Sequence, residues 1–330
     1  MSKPRILFFN AVQSALAQYE ALGAVASTEL VTSTTRAEFF DDLQHKYHDI
    51  RAIVRTSASG AVAGAFDAEL IGHLPTSLQF ICHTGAGYDQ IDVAACSARG
   101  IHVTYAPDAV TDATADLALF LLLGALRQLG PGMASLRRGT FKTGIAVGHD
   151  PRGKTLGILG LGRIGRAVVQ RVQPLGMRAI YHSRRPLPDG QAGGVPYVSL
   201  DQLLAQSDVL SVHVPLTAAT RHLLGADELS RTKSGVVIIN TARGAVIDEA
   251  ALAAALASGH VAAVGLDVYE HEPVVHEQLL CNERALLVPH LGTHTAETLE
   301  TMEALAMENA RRGLMGEALL TEVPETKSNP

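Results

Sequence analysis

Three short polar segments in the second half of the chain each close an apolar run. They are Asn240-Thr241-Ala242-Arg243-Gly244, Gly265-Leu266-Asp267-Val268-Tyr269-Glu270-His271-Glu272-Pro273 and Pro289-His290-Leu291-Gly292-Thr293. Between them they hold a cation (Arg243), a carboxylate (Glu272) and a histidine (His290). That set suits reduction of a 2-oxo acid. A guanidinium holds the carboxylate and polarises the ketone, an imidazole gives a proton to the developing alkoxide, and a separate donor brings hydride. A histidine near neutral pH carries the proton one way and accepts it the other. A carboxylate on its second ring nitrogen would orient the ring and favour imidazolium, and Glu272 could do that. Taken singly, each has an ordinary alternative: Arg243 a loop ion pair, His290 a satisfied buried histidine, Glu272 a surface charge.

The hydride donor has its own signature. Gly160-Leu161-Gly162-Arg163-Ile164-Gly165 follows an apolar strand pattern, Thr155–Leu159, and opens an amphipathic helix carrying Ile164, Ala167, Val168, Val172 and Leu175. A lone G-x-G-x-x-G is weak, because glycines also serve ordinary turns, but this is the context a dinucleotide site requires. Gly160 would allow the tight turn, Gly162 a close approach of the pyrophosphate, and Gly165 close packing of helix on strand. The helix N-terminus would then bind the phosphates. An NAD-selective site places Asp or Glu about 20 residues later, on the ribose 2′-hydroxyl. Here Ser183 stands there, followed by Arg184 and Arg185. A small hydroxyl tolerates a 2′-phosphate and a guanidinium binds one, so the pattern predicts NADP(H), with NAD(H) possible. The alternative is a solvated basic loop.

These residues need a frame, and apolar strands alternate with amphipathic helices along the whole chain, the pattern of an α/β protein. The first hundred residues predict strands at Arg5–Phe9, Ile50–Arg55, Leu78–His83 and Ile101–Tyr105, with helices near Glu38–Tyr47, Asp67–Leu74 and Asp92–Ser97. A long helix is expected over about Asp112–Leu129, ended by Gly130-Pro131-Gly132. A second series has strands at Thr155–Leu159, Met177–His182, Asp208–Val214, Gly235–Asn240, Ala262–Asp267 and Ala285–Pro289. Its helices fall at Ile164–Leu175, Ser199–Gln206 (opened by a Ser199/Gln202 capping box), Glu249–Ser258 and Thr295–Leu314. The tail from about Glu322 to Pro330 has a disordered composition. No internal repeat is evident.

Composition narrows the classes. The chain has 330 residues, enough for two domains, and a net charge of −6 from 33 acidic and 27 basic residues. That balance argues against general nucleic-acid binding. Cys82, Cys96 and Cys281 are odd in number and far apart, which predicts neither a disulfide framework nor a cysteine metal site and favours a reducing compartment, read as the cytoplasm. The longest apolar run, Leu117–Leu126, is about half of a membrane span. No metal is expected.

The same segments resemble the D-isomer-specific 2-hydroxyacid dehydrogenases, closest to the glyoxylate/hydroxypyruvate reductase and fungal D-mandelate dehydrogenase branches. The likeness extends to Thr84-Gly85-Ala86-Gly87-Tyr88-Asp89-Gln90-Ile91-Asp92, to Ala113-Thr114-Ala115-Asp116-Leu117-Ala118, and to Val212-His213-Val214-Pro215-Leu216-Thr217-Ala218-Ala219-Thr220. It implies two doubly wound parallel-sheet domains, Rossmann-like and flavodoxin-like, with an active-site cleft between them. A discontinuous substrate-binding domain (1–110 plus 296–330) would accompany an NAD(P)-binding Rossmann domain (111–295).

The resemblance also implies roles. Arg243, Glu272 and His290 would be catalytic, and Asp267 would bond the nicotinamide carboxamide. Thr114, Arg163, Ile164, Val214, Pro215, Thr220, Thr241, Ala242 and Gly292 would lie along the cofactor, Pro215 and Thr220 on its adenine side. The amides of Ala86 and Gly87 would take the substrate carboxylate with Arg243, and His290 would face the carbonyl. Members generally form homodimers through the cofactor domain, around the long helix and Gly130–Phe141. After the histidine the family commonly reads Gly-Ser-Ala, where this chain has Gly292-Thr293-His294. His294 could either disturb the titration of His290 or face solvent. The resulting expectation is an NADPH-preferring reductase of glyoxylate or hydroxypyruvate that forms the D-hydroxy acid. Two alternatives stand beside it: a D-mandelate-type dehydrogenase of bulky or aromatic oxo acids, and a non-catalytic dinucleotide-sensing corepressor.

Overall fold

The computed structural model describes residues 3–188 and 190–327. It divides into two compact units, Met1–Val110 with Thr295–Pro330, and Thr111–His294.

The first unit is built on a five-stranded sheet. Its strands are β1 (Arg5–Phe8), β2 (Ser27–Leu30), β3 (Ile50–Arg55), β4 (Phe80–His83) and β5 (His102–Thr104), in the order β2-β1-β3-β4-β5. Every pair is parallel. Alternation along the strands feeds two apolar layers. Leu7, Ile53, Ile81 and Val103 pack with Phe39, Leu43, Leu70 and Ile71, while Ile6, Phe8, Ala52, Val54 and Cys82 pack with Ala306, Met307 and Ala310 of the helix Ala296–Leu314. Each buried Val, Leu, Ile, Phe or Met among them contributes about 1.5–3 kcal/mol.

Apart from short turns such as the helix Gly60–Ala63, two elements of this unit escape the sequence pattern. One is β2, an edge strand reading Ser-Thr-Glu-Leu with little apolar content. The other is the helix Leu16–Leu22, which has no side-chain N-cap. The amides of Gln13, Ser14 and Ala15 instead donate to the Glu303 carboxylate at 2.8–3.1 Å, so that helix start is held by a residue nearly 300 positions away. The tail also differs from expectation. Glu322 bridges to Thr104, Thr326 Oγ1 accepts from Val103 N at 3.1 Å, and Val323 is fully buried. The chain thus packs onto the β5 edge as far as Lys327; Ser328–Pro330 lie outside the described residues.

The second unit has a six-stranded parallel sheet. Its strands are β6 (Thr155–Leu159), β7 (Arg178–His182), β8 (Val209–Val212), β9 (Val236–Asn240), β10 (Val261–Leu266) and β11 (Ala285–Leu287), ordered β11-β10-β9-β8-β6-β7. The order reverses at β6, and ligands of such sheets gather at the carboxyl ends beside that reversal. Helices cover both faces. Ala115, Ala118, Leu121 and Leu122 of the helix Thr111–Leu126 pack with Val168 and Val172 against Leu156, Ile158, Val237 and Ile239. Leu203, Leu252 and Leu256 cover Leu210, Ile238 and Val264 on the other side.

The predicted stop at Gly130-Pro131-Gly132 needs correction. Gln128, with φ +56°, breaks the long helix, and a second helix, Leu129–Arg137, leaves at 70° with the Gly-Pro-Gly in its first turn. Proline is tolerated there because first-turn amides have no intrahelical acceptor. Among the described residues no single helix is long and apolar enough to cross a membrane.

Candidate active site

The glycine turn leaves β6 as the spacing requires. Gly160 has φ +98°, and a Cβ there would meet His213 O and Val214 Cγ1 at 2.8 Å, so Val214 borders the turn. A Cβ at Gly165 would stand 2.4 Å from Gly160 O, whereas at Gly162 it would enter open space. The helix Arg163–Val172 begins at Gly162 with no side-chain cap, and Arg163 and Ile164 stand in its first turn, at the helix end that attracts anions. In the next loop Thr220 Oγ1 donates to Pro215 O at 2.6 Å and accepts from Thr217 N, which holds the predicted adenine-side pair together.

Just past β7, Ser183 Oγ donates to Arg185 O at 2.6 Å and closes a small turn. Arg184 and Arg185 project from it exposed, and among the described residues neither guanidinium has a hydrogen-bond or ion-pair partner.

The three polar segments converge at the ends of β9, β10 and β11. Asn240, 1% exposed, organises the first, since its Oδ1 accepts from Ala242 N at 3.0 Å and its Nδ2 donates to Arg243 O at 2.9 Å. Asp267, equally buried, organises the third. Its Oδ1 accepts from Leu291 N (2.6 Å), its Oδ2 from Gly292 N (2.8 Å) and its carbonyl from His290 N (2.8 Å). Thr114 Oγ1 donates to Gly292 O at 3.3 Å, which ties the long helix to the same loop. Burial pushes the Asp267 carboxyl above its usual range, although the two amides oppose that.

Within this frame Glu272 Oε1 accepts from Tyr269 N at 3.0 Å and Oε2 pairs with His290 Nδ1 at 2.8 Å. Glu272 precedes a cis-proline, Pro273. His290 sits at φ +54°, a backbone state that a non-glycine residue adopts only when its surroundings impose it. The hydrogen bond from Glu272 raises the imidazole's pKa, against the opposing effect of burial. Burial is the largest single effect and would raise the Glu272 carboxyl, but the bond to His290, the His290 charge, the Tyr269 amide and the Arg243 charge together leave it lowered. The charge of Arg243 acts on both groups. With Nδ1 engaged and the side chain 44% exposed, Nε2 is the nitrogen left to exchange a proton with a ligand. His294 lies exposed, its N–H on Leu291 O.

Thr241 Oγ1 is buried without a hydrogen-bond partner. An orphaned hydroxyl beside Ala242 and Arg243 is the kind of group a bound molecule completes. With the uncapped helix and the open space over Gly162, it gives a chemical fit to a phosphate-bearing dinucleotide. In the first unit, Ala86 and Gly87 form the turn after β4, half-buried, and neither amide has an acceptor among the described residues.

Sequence reasoning missed the supports. The Glu249 carboxylate accepts from Glu270 N and His276 N, both at 2.7 Å, and so fixes the loop bearing Glu272. Tyr269 Oη donates to Val288 O at 2.9 Å, binding that loop to the one bearing His290. Neither has a local signal, because each reads as an ordinary helix or loop residue until the chain is folded. Among the described residues no group of three or more His, Cys, Asp or Glu could hold a metal ion.

Comparison with known proteins decides the family. Residues 119–292 match the family description "D-isomer specific 2-hydroxyacid dehydrogenase, NAD binding domain". This chain belongs to that family. The dehydrogenase is 47% identical to glyoxylate reductase 1 of Saccharomyces cerevisiae over 90% of its own length and 87% of the relative's. It is 45% identical to 4-methyl-2-oxopentanoate reductase A of Aspergillus oryzae, over 98% and 99% of the two chains. A crystal structure of a glyoxylate reductase from Paecilomyes thermophila superposes with a TM-score of 0.95 at 49% identity, covering 99% of this chain and all of that one. The dehydrogenase is thus a nicotinamide-dependent oxidoreductase acting between 2-oxo and 2-hydroxy acids.

Proposed function

We propose that this dehydrogenase is an NADPH-preferring reductase of small 2-oxo acids, glyoxylate or hydroxypyruvate, yielding the D-2-hydroxy acid. The observation that carries the reading is the 2.8 Å pair between Glu272 Oε2 and His290 Nδ1, with the Arg243 charge acting on both partners. When bound, the reduced nicotinamide supplies the hydride. The Arg243 guanidinium holds the substrate carboxylate and polarises the ketone, joined by the amides of Ala86 and Gly87. His290, kept protonated by Glu272, gives its Nε2 proton to the carbonyl oxygen as negative charge develops there. It takes the proton back in the reverse reaction.

Gly160, Gly162 and Gly165 with the amides of Arg163 and Ile164 would hold the pyrophosphate, and Val214, Pro215 and Thr220 the adenine side. Thr114, Thr241, Ala242, Asp267 and Gly292 would border the nicotinamide half. Ser183, Arg184 and Arg185 would receive the 2′-phosphate, which the exposed, unpartnered arginines and the absence of an acidic residue at position 183 support. Residues 111–295 would be the cofactor domain and 1–110 with 296–330 the substrate domain. The exposed Leu129, Met133, Leu136 and Phe141 suit a homodimer through the cofactor domain. Free thiols at Cys82, Cys96 and Cys281 fit a reducing, cytoplasmic setting.

The near-equal identity to a 4-methyl-2-oxopentanoate reductase favours a second reading, in which a bulkier oxo acid is the substrate. Steady-state reduction of glyoxylate, hydroxypyruvate, 4-methyl-2-oxopentanoate and phenylglyoxylate with NADPH separates the two. We expect the highest kcat/KM with one of the small acids. A preference for either bulky acid would replace the first reading with the second.

A further inference from the structure

Among the described residues the largest fully buried side chain is Arg55, the last residue of β3. Long cations are rarely interred unless something uses them. Its guanidinium is only partly satisfied. Nε donates to Ser59 Oγ and Nη2 to Gln90 Oε1, both at 2.9 Å, the plane lies 4.6 Å from the centre of the Phe66 ring, and Nη1 has no hydrogen-bond partner. Asp89 attracts it, but burial dominates and pushes its pKa down to about 10, so it stays charged at neutral pH.

What surrounds Arg55 is the turn after β4. Its carbonyl accepts from Thr84 N at 3.0 Å, where the turn begins, and its guanidinium grips Gln90 near the end. Gln90 is held a second time, its carbonyl accepting from Phe66 N at 2.8 Å, and Phe66 is the ring beneath the guanidinium. Ala86 and Gly87, with their unaccepted amides, lie between these two attachments. Residue 55 therefore holds both ends of a seven-residue segment, Thr84–Gln90, one through its main-chain carbonyl and the other through its buried cation, and the middle of the segment presents two N–H groups. Holding the segment at both ends restrains it before a ligand arrives, and a buried positive charge attached to it favours an anion nearby.

We propose that Arg55 is a positioning residue of the substrate site, which pre-sets the Ala86 and Gly87 amides to bind the carboxylate of the 2-oxo acid and lends them positive potential. The proposal rests on the reading that those amides take the carboxylate, and it deepens that reading. Arg55 itself does not touch the substrate, since it is sealed from solvent.

The test measures thermal stability, NADPH affinity, KM and kcat for glyoxylate, and Kd for oxamate, an unreactive carboxylate analogue, on the NADPH-loaded enzyme. Arg55→Met removes the grip on Gln90 and the charge, and leaves the main-chain bond to Thr84 in place. It should raise KM and the oxamate Kd together by about tenfold or more, the scale of one lost charge-assisted contact. Its kcat and NADPH affinity should stay within about threefold. Gln90→Ala keeps the charge and loses one attachment, so the same two constants should rise by about threefold, with no change in kcat. If Arg55→Met fails to fold, Arg55→Lys and Gln90→Ala carry the test, and each must shift KM and oxamate Kd without kcat. Unchanged KM in folded variants, or kcat falling with KM unmoved, would overturn the proposal. Ala86→Pro, which deletes one amide, separates the two layers. If it leaves oxamate binding intact, the carboxylate assignment itself is wrong. If it weakens oxamate while the Arg55 and Gln90 variants do not, only the role of Arg55 falls.

Discussion

The loops that bear His290 and Glu272 and the turn Ser183–Arg185 lie in the same unit, both after strands of one sheet, and are built on opposite principles. Around His290 almost every polar atom is committed. Asp267 takes two amides, Glu249 two more, Tyr269 bridges two loops, and the histidine backbone is held in the left-handed region. At Ser183–Arg185 the Ser183 hydroxyl closes the turn, Tyr197 Oη reaches the Ser183 carbonyl at 3.4 Å, and two guanidiniums stand exposed. The contrast teaches where each property resides. Proton transfer needs atoms fixed to within fractions of an ångström, so the fold surrounds them with buried supports. On the proposed roles, reading a phosphate needs only charge within reach, which long flexible side chains on a lightly held turn would supply.

That comparison can be broken in several places. The largest effect belongs to His290→Ala. It should lower kcat by roughly 10²- to 10⁴-fold, the range of a lost general acid, with NADPH binding, followed by cofactor fluorescence, nearly intact. A collapse of NADPH affinity instead would make the histidine structural. Next comes replacement of Arg184 and Arg185 by serine. With charge-assisted bonds worth about 1.5–3 kcal/mol, KM for NADPH should rise by roughly 10- to 100-fold, while KM for NADH changes by no more than about threefold. Equal losses for both cofactors would show that the turn does not read the 2′-phosphate.

Glu272→Gln acts more gently, through pH. His290 has a raised pKa, so its pairing adds stability that is complete below the ordinary imidazole value and is lost as pH rises through the raised one. Glu272 has a lowered pKa, so its share is present above the ordinary carboxylate value and is lost as pH falls through the lowered one. The charged pair therefore occupies the window between the lowered carboxyl and the raised imidazole, which the pairing widens at both ends. Reduction by wild type should decline only on the alkaline side, with a midpoint above 6.5, the imidazole's ordinary value. In Glu272→Gln that midpoint should move to lower pH in a kcat/KM profile, and an unmoved midpoint would dismiss Glu272 as the tuning group. The smallest effect is expected from Thr241→Val, an isosteric change. Dinucleotide affinity should fall by a few-fold, about 0.5–1.5 kcal/mol, while Tm holds or rises because a buried unpaired hydroxyl is gone.

Legibility in the sequence followed the same division. The strands that carry the site were readable because β6, β9 and β10 are apolar runs closed by polar residues, and the glycine spacing announced the turn after β6. Arg243, Glu272 and His290 stood out as residue types, yet nothing in their spacing, 18 positions between the last two, shows that they meet; the meeting depends on the parallel pairing of β9, β10 and β11. What remained hidden is what acts at long range. Glu303 caps a helix start nearly 300 residues away, Glu249 holds a loop more than 20 residues on, and Arg55 grips Gln90 across 35 positions. Gly130-Pro131-Gly132 misled for a local reason, since residues that end one helix also begin the next.

The most direct trial of the account is a steady-state comparison of glyoxylate reduction with NADPH and with NADH under matched conditions. We predict turnover with both and a kcat/KM at least about tenfold higher with NADPH, the equivalent of one well-formed charge-assisted contact to the 2′-phosphate. Equal efficiency, or a preference for NADH, would contradict the cofactor reading, and no turnover with either would contradict the assignment of the reaction.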